Sequence, residues 1–287
     1  MGNTPKTGPV PALQRALAIL EKLAQSRQGL TLSQISRYLE LPKSSVHCLL
    51  LTFERCGYLN RDSHSGRYRL GLRICGLARA SLRNVEVREM AAPFLRQLQE
   101  RTGLTVHLAI LEHGEAVVVD KFEPAGSTRV ATWPGKCMDL HCTALGKALA
   151  AYLPEQQLDE HIRLHGLLRH NDNTICTPRK LKLELGLIRE RGCSFDDEEE
   201  EIGVRCVGAP ILNPKGEAVA ALSASGSTAE IDTANWQRLA ADVVATARTI
   251  SSRLVQEEEP PVRAAVRATV AEGPGAATLV TGHGSLS

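Results

Sequence analysis

Four short or cationic side chains stand at the start of a predicted helix near the N-terminus, where they suit contact with nucleic acid. The helix is predicted from Pro42 to Arg55, and proline is favoured in a first turn because its missing N–H is not needed there. Its apolar residues recur at helical spacing and predict a buried face. These are Val46, Leu49, Leu50 and Phe53. The opposite, N-terminal face carries residue types that reach base edges and phosphates in the major groove, namely Lys43, Ser44, Ser45 and His47.

A shorter predicted helix precedes this one and ends where the chain reaches Leu41-Pro42. Thr31 is a residue type that can cap the free N–H groups of a first helical turn. Leu32, Ile35 and Leu39 follow at spacings typical of one apolar helix face. Proline disfavours the helical conformation of the residue before it, so the turn falls at Leu41. Two polar residues at the start of this helix join the predicted DNA contacts: Thr31 and Ser33.

A predicted β-hairpin follows the two helices. Residues 57–61 and 66–71 alternate apolar and polar side chains around the polar turn 62–65. Its strands carry Arg61, Arg67 and Arg69, which predicts a basic wing lying along phosphates. The alternative is an ordinary helix pair followed by a hairpin with solvated arginines. The complete order of elements favours a winged helix-turn-helix.

The positive charge of the chain is concentrated in this segment. Residues 1–70 hold ten Lys/Arg against four Asp/Glu, whereas all 287 residues together carry a formal net charge of only +2. A module that binds phosphates needs such a local excess of positive charge.

A second group of residues is suited to bind a small molecule. The helix predicted to begin at Thr143 presents backbone N–H groups at Ala144 and Leu145, which favour a carboxylate. Ser223 and Ser225 stand two apart on a predicted strand, so both hydroxyls face the same side. Two hydroxyls among Ala and Leu suggest a polar patch in an apolar pocket. Two alternatives stay open: a simple N-cap in which Gly146 allows close packing, and an exposed face of an edge strand.

The elements that would position these residues predict an α+β chain of two domains. A first helix spans residues 10–26, and its predicted buried face comprises Leu13, Leu17, Leu20 and Ala24. Residues 72–101 form a helical connection, interrupted near Pro93, that is also expected to pair with its copy in a dimer. The second domain begins near Gly103. Its predicted strands are 105–111, 116–122, 203–212 and 217–225, and its predicted helices are 143–152, 178–191 and 233–255. The tail beyond Gln256 is predicted to be disordered.

Composition excludes several classes of protein. No run of about 18 apolar residues is present, so no membrane span is predicted. The polar start lacks the apolar region of a signal peptide, so a cytoplasmic protein is expected. The eight cysteines are scattered, and most are predicted to be buried, reduced thiols. His141 and Cys142 with Cys137 nearby match no standard zinc spacing, so neither a metal nor a cofactor is predicted.

Four blocks of the second domain, together with the winged helix-turn-helix, resemble the IclR family of bacterial transcriptional regulators. The blocks are residues 140–148 (LHCTALGKA), 189–199, 203–210 (GVRCVGAP) and 220–226 (AALSASG). The resemblance covers about residues 10 to 255. It implies a GAF-like effector domain, a dimer or dimer of dimers, and control by a small molecule. It also implies that Asp196, the first residue of an acidic run that is otherwise typical of a solvated loop, turns into the pocket. The tail after Gln256 inherits no role.

The sequence therefore predicts a DNA-binding transcriptional regulator, a repressor above all, with a pseudo-palindromic operator and a small carboxylate effector. The predicted divisions are a DNA-binding domain (10–71), a linker helix (72–102), an effector domain (103–256) and a disordered tail (257–287). The predicted effector contacts are Ala144, Leu145, Asp196, Cys206, Ser223 and Ser225, with Val130, Met138 and Leu140 around the remainder of the ligand.

Two other classes stay open as alternatives. The first is a DNA-binding protein without a ligand, although such a protein does not need a second domain with a pocket. The second is an enzyme that uses Cys206, His141 and Asp196, which are residue types of a nucleophilic triad. No motif assigns these three residues the roles of nucleophile, base and orienting group.

Overall fold

The structure is a computed structural model that describes residues 8–83, 85–126 and 130–258, with side chains up to residue 255. The chain divides into two compact units, Met1–Asn84 and Val85–Ser287. Residues 259–287, which hold nearly all of the predicted tail, lie outside the described residues. No helix in the described ranges is long and apolar enough to cross a membrane.

The first unit is the predicted winged helix-turn-helix. Its helices are α1 (Pro11–Ala24), α2 (Leu32–Tyr38), α3 (Lys43–Arg55) and α4 (Arg73–Arg83), and its strands are β1 (Leu30–Thr31), β2 (Leu59–Arg61) and β3 (Arg67–Leu70). The strands form an antiparallel sheet in the order β1-β3-β2. Thr31 caps α2 in a capping box, in which its side chain accepts from the Gln34 N–H while the Gln34 side chain accepts from the Thr31 N–H.

The core of the first unit corrects the face predicted for α1. Its buried residues are Ile19, Leu23, Ile35, Val46, Leu50, Leu59 and Tyr68. On α1, Ile19 and Leu23 are buried and Leu20 is half-buried, whereas Leu13 and Leu17 are 59% and 50% exposed and Ala24 is also exposed. The helix carries two apolar stripes at the same helical spacing, so periodicity alone does not say which one faces the domain.

The predicted connection consists of two helices, and its break does not fall at Pro93. Helix α4 ends at Arg83, and α5 (Glu86–Thr102) contains Pro93 in its interior. An interior proline costs a helix about 3 kcal/mol. Apolar residues buried on both sides of it, including Ala91 and Leu95, offset that cost. Helix α4 has no buried residue, whereas α5 belongs to the core of the second unit.

The second unit is a six-stranded antiparallel sheet with helices packed against it. Its strands are β4 (Thr105–Glu112), β5 (Glu115–Phe122), β6 (Cys137–Met138), β7 (Ser194–Asp197), β8 (Val204–Leu212) and β9 (Ala218–Ser227). They lie in the order β6-β5-β4-β9-β8-β7. The helices besides α5 are α6 (Ala144–Ala150), α7 (Glu155–His165), α8 (Pro178–Arg191) and α9 (Trp236–Glu258). The predicted α+β layout is confirmed; α7, β6 and β7 were not predicted.

Helix α6 lies close against strand β8. A Cβ atom added to Gly208 would lie 2.8 Å from the Ala144 carbonyl oxygen, closer than real side chains approach. Apolar residues of α6 and α8, such as Leu149 and Ile188, then pack with Ala109 and Ala221 of the sheet. The start of α6 is thereby held against strands β7 to β9.

All eight cysteines are free thiols, but the prediction that most are buried is wrong. Cys142 and Cys193 are buried and Cys176 and Cys206 are half-buried. The exposed ones are Cys48, Cys56, Cys75 and Cys137. Cys48, Cys56 and Cys75 lie on or directly after helices of the small first unit, whose core takes up only one face of each helix.

Candidate functional site

The first turns of α3 present the polar face that the sequence predicts. Lys43, Ser44, Ser45 and His47 are all exposed, whereas Val46 between them is fully buried. Ser33 of α2 is exposed, whereas Thr31, the residue that caps α2, is half-buried and uses its hydroxyl in the cap. The side chains on α3 are therefore free to approach a nucleic acid, and Thr31 has a structural task as well.

The arginines of the hairpin also make contacts within the unit. Arg67 Nη1 donates to the Gly29 carbonyl at 2.9 Å, and Arg69 Nε donates to the Gln28 carbonyl at 3.4 Å. The guanidinium of Arg61 lies 5.6 Å from the centre of the Tyr68 ring. These contacts fix the position of the positive charge along the hairpin. Replacement of Arg67 would consequently disturb the fold as well as any phosphate contact.

A cavity in the second unit gathers the residues predicted to bind the effector. Ala144, Leu145, Asp196, Cys206, Ser223 and Ser225 all line it, together with Val130 and Met138. Leu140 does not line it; this residue is 1% exposed and packs in the hydrophobic core beside α6. The cavity also includes residues that were not predicted, namely His107, Ala131, Thr132, Lys136, Thr143, Glu200, Glu201 and Val204.

One wall of the cavity is a row of hydrogen-bonding groups on β4 and β9. Ser223 stands opposite His107 in the antiparallel register. The Ser225 hydroxyl lies 3.4 Å from His107 Nδ1, and His107 Nε2 lies 2.6 Å from the Thr132 hydroxyl. Burial, with Lys121 and Lys136 nearby, lowers the pKa of His107 to about 3. The imidazole is therefore neutral, with one nitrogen that donates and one that accepts.

Acidic side chains line the cavity as well, and Asp196 of β7 lies in the same cross-strand row as Cys206 and Ser225. Asp196 is 3% exposed, and its Oδ1 accepts a hydrogen bond of 2.8 Å from the Glu199 N–H. Burial raises the pKa of Asp196 to about 7, so near neutral pH a substantial fraction of this carboxyl is protonated and able to donate. Burial also raises the pKa of Glu200, whose carboxylate lies 3.7 Å from Lys136 Nζ.

The start of α6 is held rigidly beside these residues. The Thr143 hydroxyl accepts from the Gly146 N–H at 2.9 Å, and Ser194 Oγ donates to the Ala144 carbonyl at 2.6 Å. Lys147, with a fully buried side chain, donates to the Phe195 carbonyl at 2.6 Å and pairs with the carboxylate of Glu199. The first backbone N–H groups of a helix have no partner within it. Ala144 and Leu145 line the cavity, so their N–H groups are candidate donors to a ligand.

The structure does not bring the three residues of the alternative catalytic triad together in this cavity. Cys206 and Asp196 line it, but His141 is absent from the lining and its Nε2 bonds to the Leu168 carbonyl at 2.9 Å. Burial, with Asp196 nearby, raises the pKa of the Cys206 thiol well above its ordinary value. A thiol in that state is a poor nucleophile.

The cavity residues that were not predicted reach the cavity through contacts between segments that are far apart in the sequence. His107 lies at the cavity because β4 pairs with β9, and the residues next to His107 in the sequence do not predict the register of that pairing. The one local signal is a histidine within the apolar strand from Thr105 to Glu112. Lys136 and Glu200 stand outside the helices and strands, where periodicity carries no information.

Comparison with known families identifies both units. The family model described as the IclR helix-turn-helix domain matches residues 12–63. The model described as the bacterial transcriptional regulator IclR C-terminal matches residues 79–252.

Individual relatives span nearly the whole chain. The transcriptional repressor IclR of Escherichia coli (strain K12) is 30% identical over 253 residues, covering 88% of this chain and 92% of that protein. The HTH-type transcriptional regulator XynR of the same organism is 33% identical over 225 residues, covering 78% of this chain and 89% of its own length.

Solved structures share the fold. The Thermotoga maritima IclR superposes with a TM-score of 0.69 at 32% identity, covering 84% of this chain and 98% of that one. An IclR homolog from Microbacterium hydrocarbonoxydans complexed with 4-hydroxybenzoate has a TM-score of 0.71 at 24% identity, with coverages of 85% and 98%. At that identity the second likeness establishes the fold alone.

Proposed function

The chain belongs to the IclR family of bacterial transcriptional regulators, and from this premise we propose that it is a cytoplasmic repressor whose operator affinity is controlled by a small organic acid. The observation that carries the proposal is the cavity of the second unit. It joins the candidate N–H donors at the start of α6 to the hydroxyls of Ser223 and Ser225. A regulator that did not respond to a ligand would have no use for this concentration of polar groups.

A carboxylate fits the donors along one side of the cavity. The N–H groups of Ala144 and Leu145 and the hydroxyls of Ser223 and Ser225 all favour an anion or another acceptor. Asp196 and Glu200 line the same cavity, and a carboxyl accepts a hydrogen bond when charged and donates one when protonated, so a hydroxyl group on the rest of the ligand fits beside them. The Microbacterium hydrocarbonoxydans homolog, which has the same fold, is complexed with 4-hydroxybenzoate, a molecule that carries both a carboxylate and a hydroxyl group.

The DNA-binding form in this proposal is a dimer on a pseudo-palindromic operator, either on its own or as one half of a dimer of dimers. The first unit leaves Val10, Leu13 and Leu17 of its N-terminal segment and Leu77 of α4 at least half exposed. Such apolar surface favours contact with a second copy. Two-fold symmetry then requires two half-sites, each read by an α3 helix.

A screen of carboxylates by thermal shift, followed by gel shifts with the operator, tests the proposed effector. Replacing both Ser223 and Ser225 by Ala should abolish the response to the effector while operator binding persists. The matched control is Ser227→Ala, on the same strand but with its hydroxyl bonded to Glu230 at 2.7 Å. Equal effector affinity of the double variant, measured by calorimetry, would remove the cavity from the proposal.

The same gel shifts separate the two alternatives. A ligand-independent DNA-binding protein would bind its operator with the same affinity in the presence of every carboxylate that raises the melting temperature. We infer that catalysis is not part of the function, since the matched family consists of regulators. Turnover of the bound acid, followed by chromatography of the incubated ligand, would overturn that inference.

A further inference from the structure

Three potential metal ligands lie together in the segment that leads into α6, outside the lining of the effector cavity. Asp139, His141 and Cys142 each offer one ligand atom, and these atoms lie within 4.8 Å of one another. His141 is 2% exposed and Cys142 is fully buried, while Asp139 is half-buried. A pair of enclosed ligands with a more accessible carboxylate leaves a path by which an ion enters.

A hydrogen bond to a backbone carbonyl fixes the tautomer of His141. Its Nε2 lies 2.9 Å from the Leu168 carbonyl oxygen, which is an acceptor only, so this nitrogen carries the hydrogen. In the neutral ring the lone pair is then on Nδ1. Histidines that bind metals commonly donate their other N–H to a backbone carbonyl in this way, since the bond fixes both the tautomer and the ring orientation.

A fourth residue approaches from the loop that follows α7. His170 Nε2 lies 2.7 Å from Asp139 Oδ2, and the His141 and His170 ring centres are 6.4 Å apart. The loop is held in place by Asn171, whose side-chain amide donates to the Glu198 carbonyl at 2.9 Å. The Cys142 Sγ lies 4.0 Å from the same Asp139 oxygen. His170 and Cys142 therefore both approach the Asp139 carboxylate, and the ligand atom of His141 lies within 4.8 Å of it.

We propose that Asp139, His141, Cys142 and His170 bind a divalent transition metal ion, Zn²⁺ by preference. One thiolate, two imidazoles and one carboxylate are ligands that suit tetrahedral Zn²⁺. With bonds of about 2.0–2.3 Å, tetrahedral ligands stand about 3.4 Å apart, so the ligand atoms of Asp139, His141 and Cys142, now within 4.8 Å of one another, need to close by up to about 1.4 Å. This proposal revises the sequence-based expectation of no metal, because the fourth ligand is distant in the chain.

The ion would act as a structural link. It would tie residues 139–142 to the loop around His170, directly before the Thr143 cap and the backbone donors of α6. It would have no open coordination position and no catalytic task. A protein that binds the ion only when folded gains stability by mass action, so the ion should raise the melting temperature of the chain.

Cobalt titration of the full chain, after treatment with a chelator, tests the site. Co²⁺ bound by a thiolate gives a near-ultraviolet charge-transfer band, and tetrahedral Co²⁺ gives intense visible bands. Both should appear with one equivalent and disappear when Zn²⁺ displaces the cobalt. Cys142→Ser should lose the charge-transfer band and weaken Zn²⁺ binding more than about 100-fold, the upper limit for the loss of an outer-shell partner. Cys193→Ser, at another buried thiol, should behave as the parent does.

Two further variants keep the test decisive. His170→Ala, at a partly exposed position, should weaken Zn²⁺ binding and alter the visible bands with the fold intact by circular dichroism. His165→Ala removes one of the two stacked histidines of α7, whose rings are 4.6 Å apart, and should change nothing. Absence of the bands in the parent, their persistence in Cys142→Ser, or their loss in His165→Ala would each overturn the proposal.

Discussion

Replacing Asp196 by Asn should stabilise the second unit at alkaline pH while it removes a cavity residue. Burial raises the pKa of this carboxyl from 3.8 to about 7 in the folded chain. Between these two values the folded chain binds a proton that the unfolded chain has released. The free energy of unfolding therefore falls as the pH rises through this window, and the loss is complete above about pH 7.

The size of the effect follows from the same two values. One pKa unit corresponds to about 1.4 kcal/mol, so ionisation of Asp196 costs the folded chain up to about 4 kcal/mol at pH 8. Asn does not ionise, and its side-chain oxygen still accepts the bond from the Glu199 N–H. The variant should match the parent near pH 4 and exceed its free energy of unfolding by up to about 4 kcal/mol at pH 8.

Urea unfolding followed by tryptophan fluorescence measures this difference. Both tryptophans, Trp133 and Trp236, belong to the second unit, so the signal reports that unit alone. The matched control is Asp197→Asn on the same strand, where a carboxylate with 55% side-chain exposure pairs with Arg205 Nε at 2.6 Å. An exposed pair contributes about 1 kcal/mol or less, so the control should change little. A difference between Asp196→Asn and the parent that does not grow from pH 4 to pH 8 would refute the reasoning.

Three other perturbations have defined outcomes. Lys147→Met should destabilise the second unit by about 3–5 kcal/mol, because it leaves the Glu199 carboxylate buried without its cation. Adding Glu199→Gln should restore part of the lost free energy of unfolding in the same urea assay, and no recovery would contradict this account. Lys43→Gln should weaken operator binding at all sequences and lower the slope of log K against log salt by about one, whereas Ser44→Ala should change base preference in competition gel shifts; the reverse pattern would exchange their roles. Saturating operator should change the effector affinity by the same factor by which the effector changes the operator affinity, which corresponds to about 1–3 kcal/mol. Identical effector dissociation constants with and without DNA would show that the effector does not regulate DNA binding.

The DNA-binding unit was the more predictable part of the chain because its determinants are local. The Thr31 cap depends on a residue three positions away, and Pro42 sets the start of α3 through its own ring. The exposed face of α3 then follows from helical spacing. The prediction failed on α1, where Leu13 and Leu17 repeat as regularly as Ile19 and Leu23 do. A choice between two equivalent stripes requires knowledge of the neighbouring elements.

From residue spacing alone, the cavity was predicted only where one element supplies the group, whereas Asp196 was predicted through the family resemblance. Ser223 and Ser225 share a face by strand alternation, and Ala144 lies at a helix start by the rule for N-caps. His107 becomes a neighbour of Ser223 through a pairing between strands far apart in the sequence. The prediction that Leu140 lines the cavity was wrong for a related reason. Whether an apolar residue beside a pocket faces the ligand or the core depends on which way the chain turns before α6.

The acidic run after Phe195 shows how tertiary pairing overrides a local expectation. Six consecutive carboxylates predict a solvated loop, since each buried charge is costly. The fold instead gives several of them separate cations: Asp197 pairs with Arg205, Glu199 with Lys147, and Glu200 lies near Lys136. Asp196 differs, because its hydrogen bond comes from a backbone N–H. Burial raises the pKa of Asp196 to about 7, although the bond from the Glu199 N–H and the nearby Lys147 both oppose the shift.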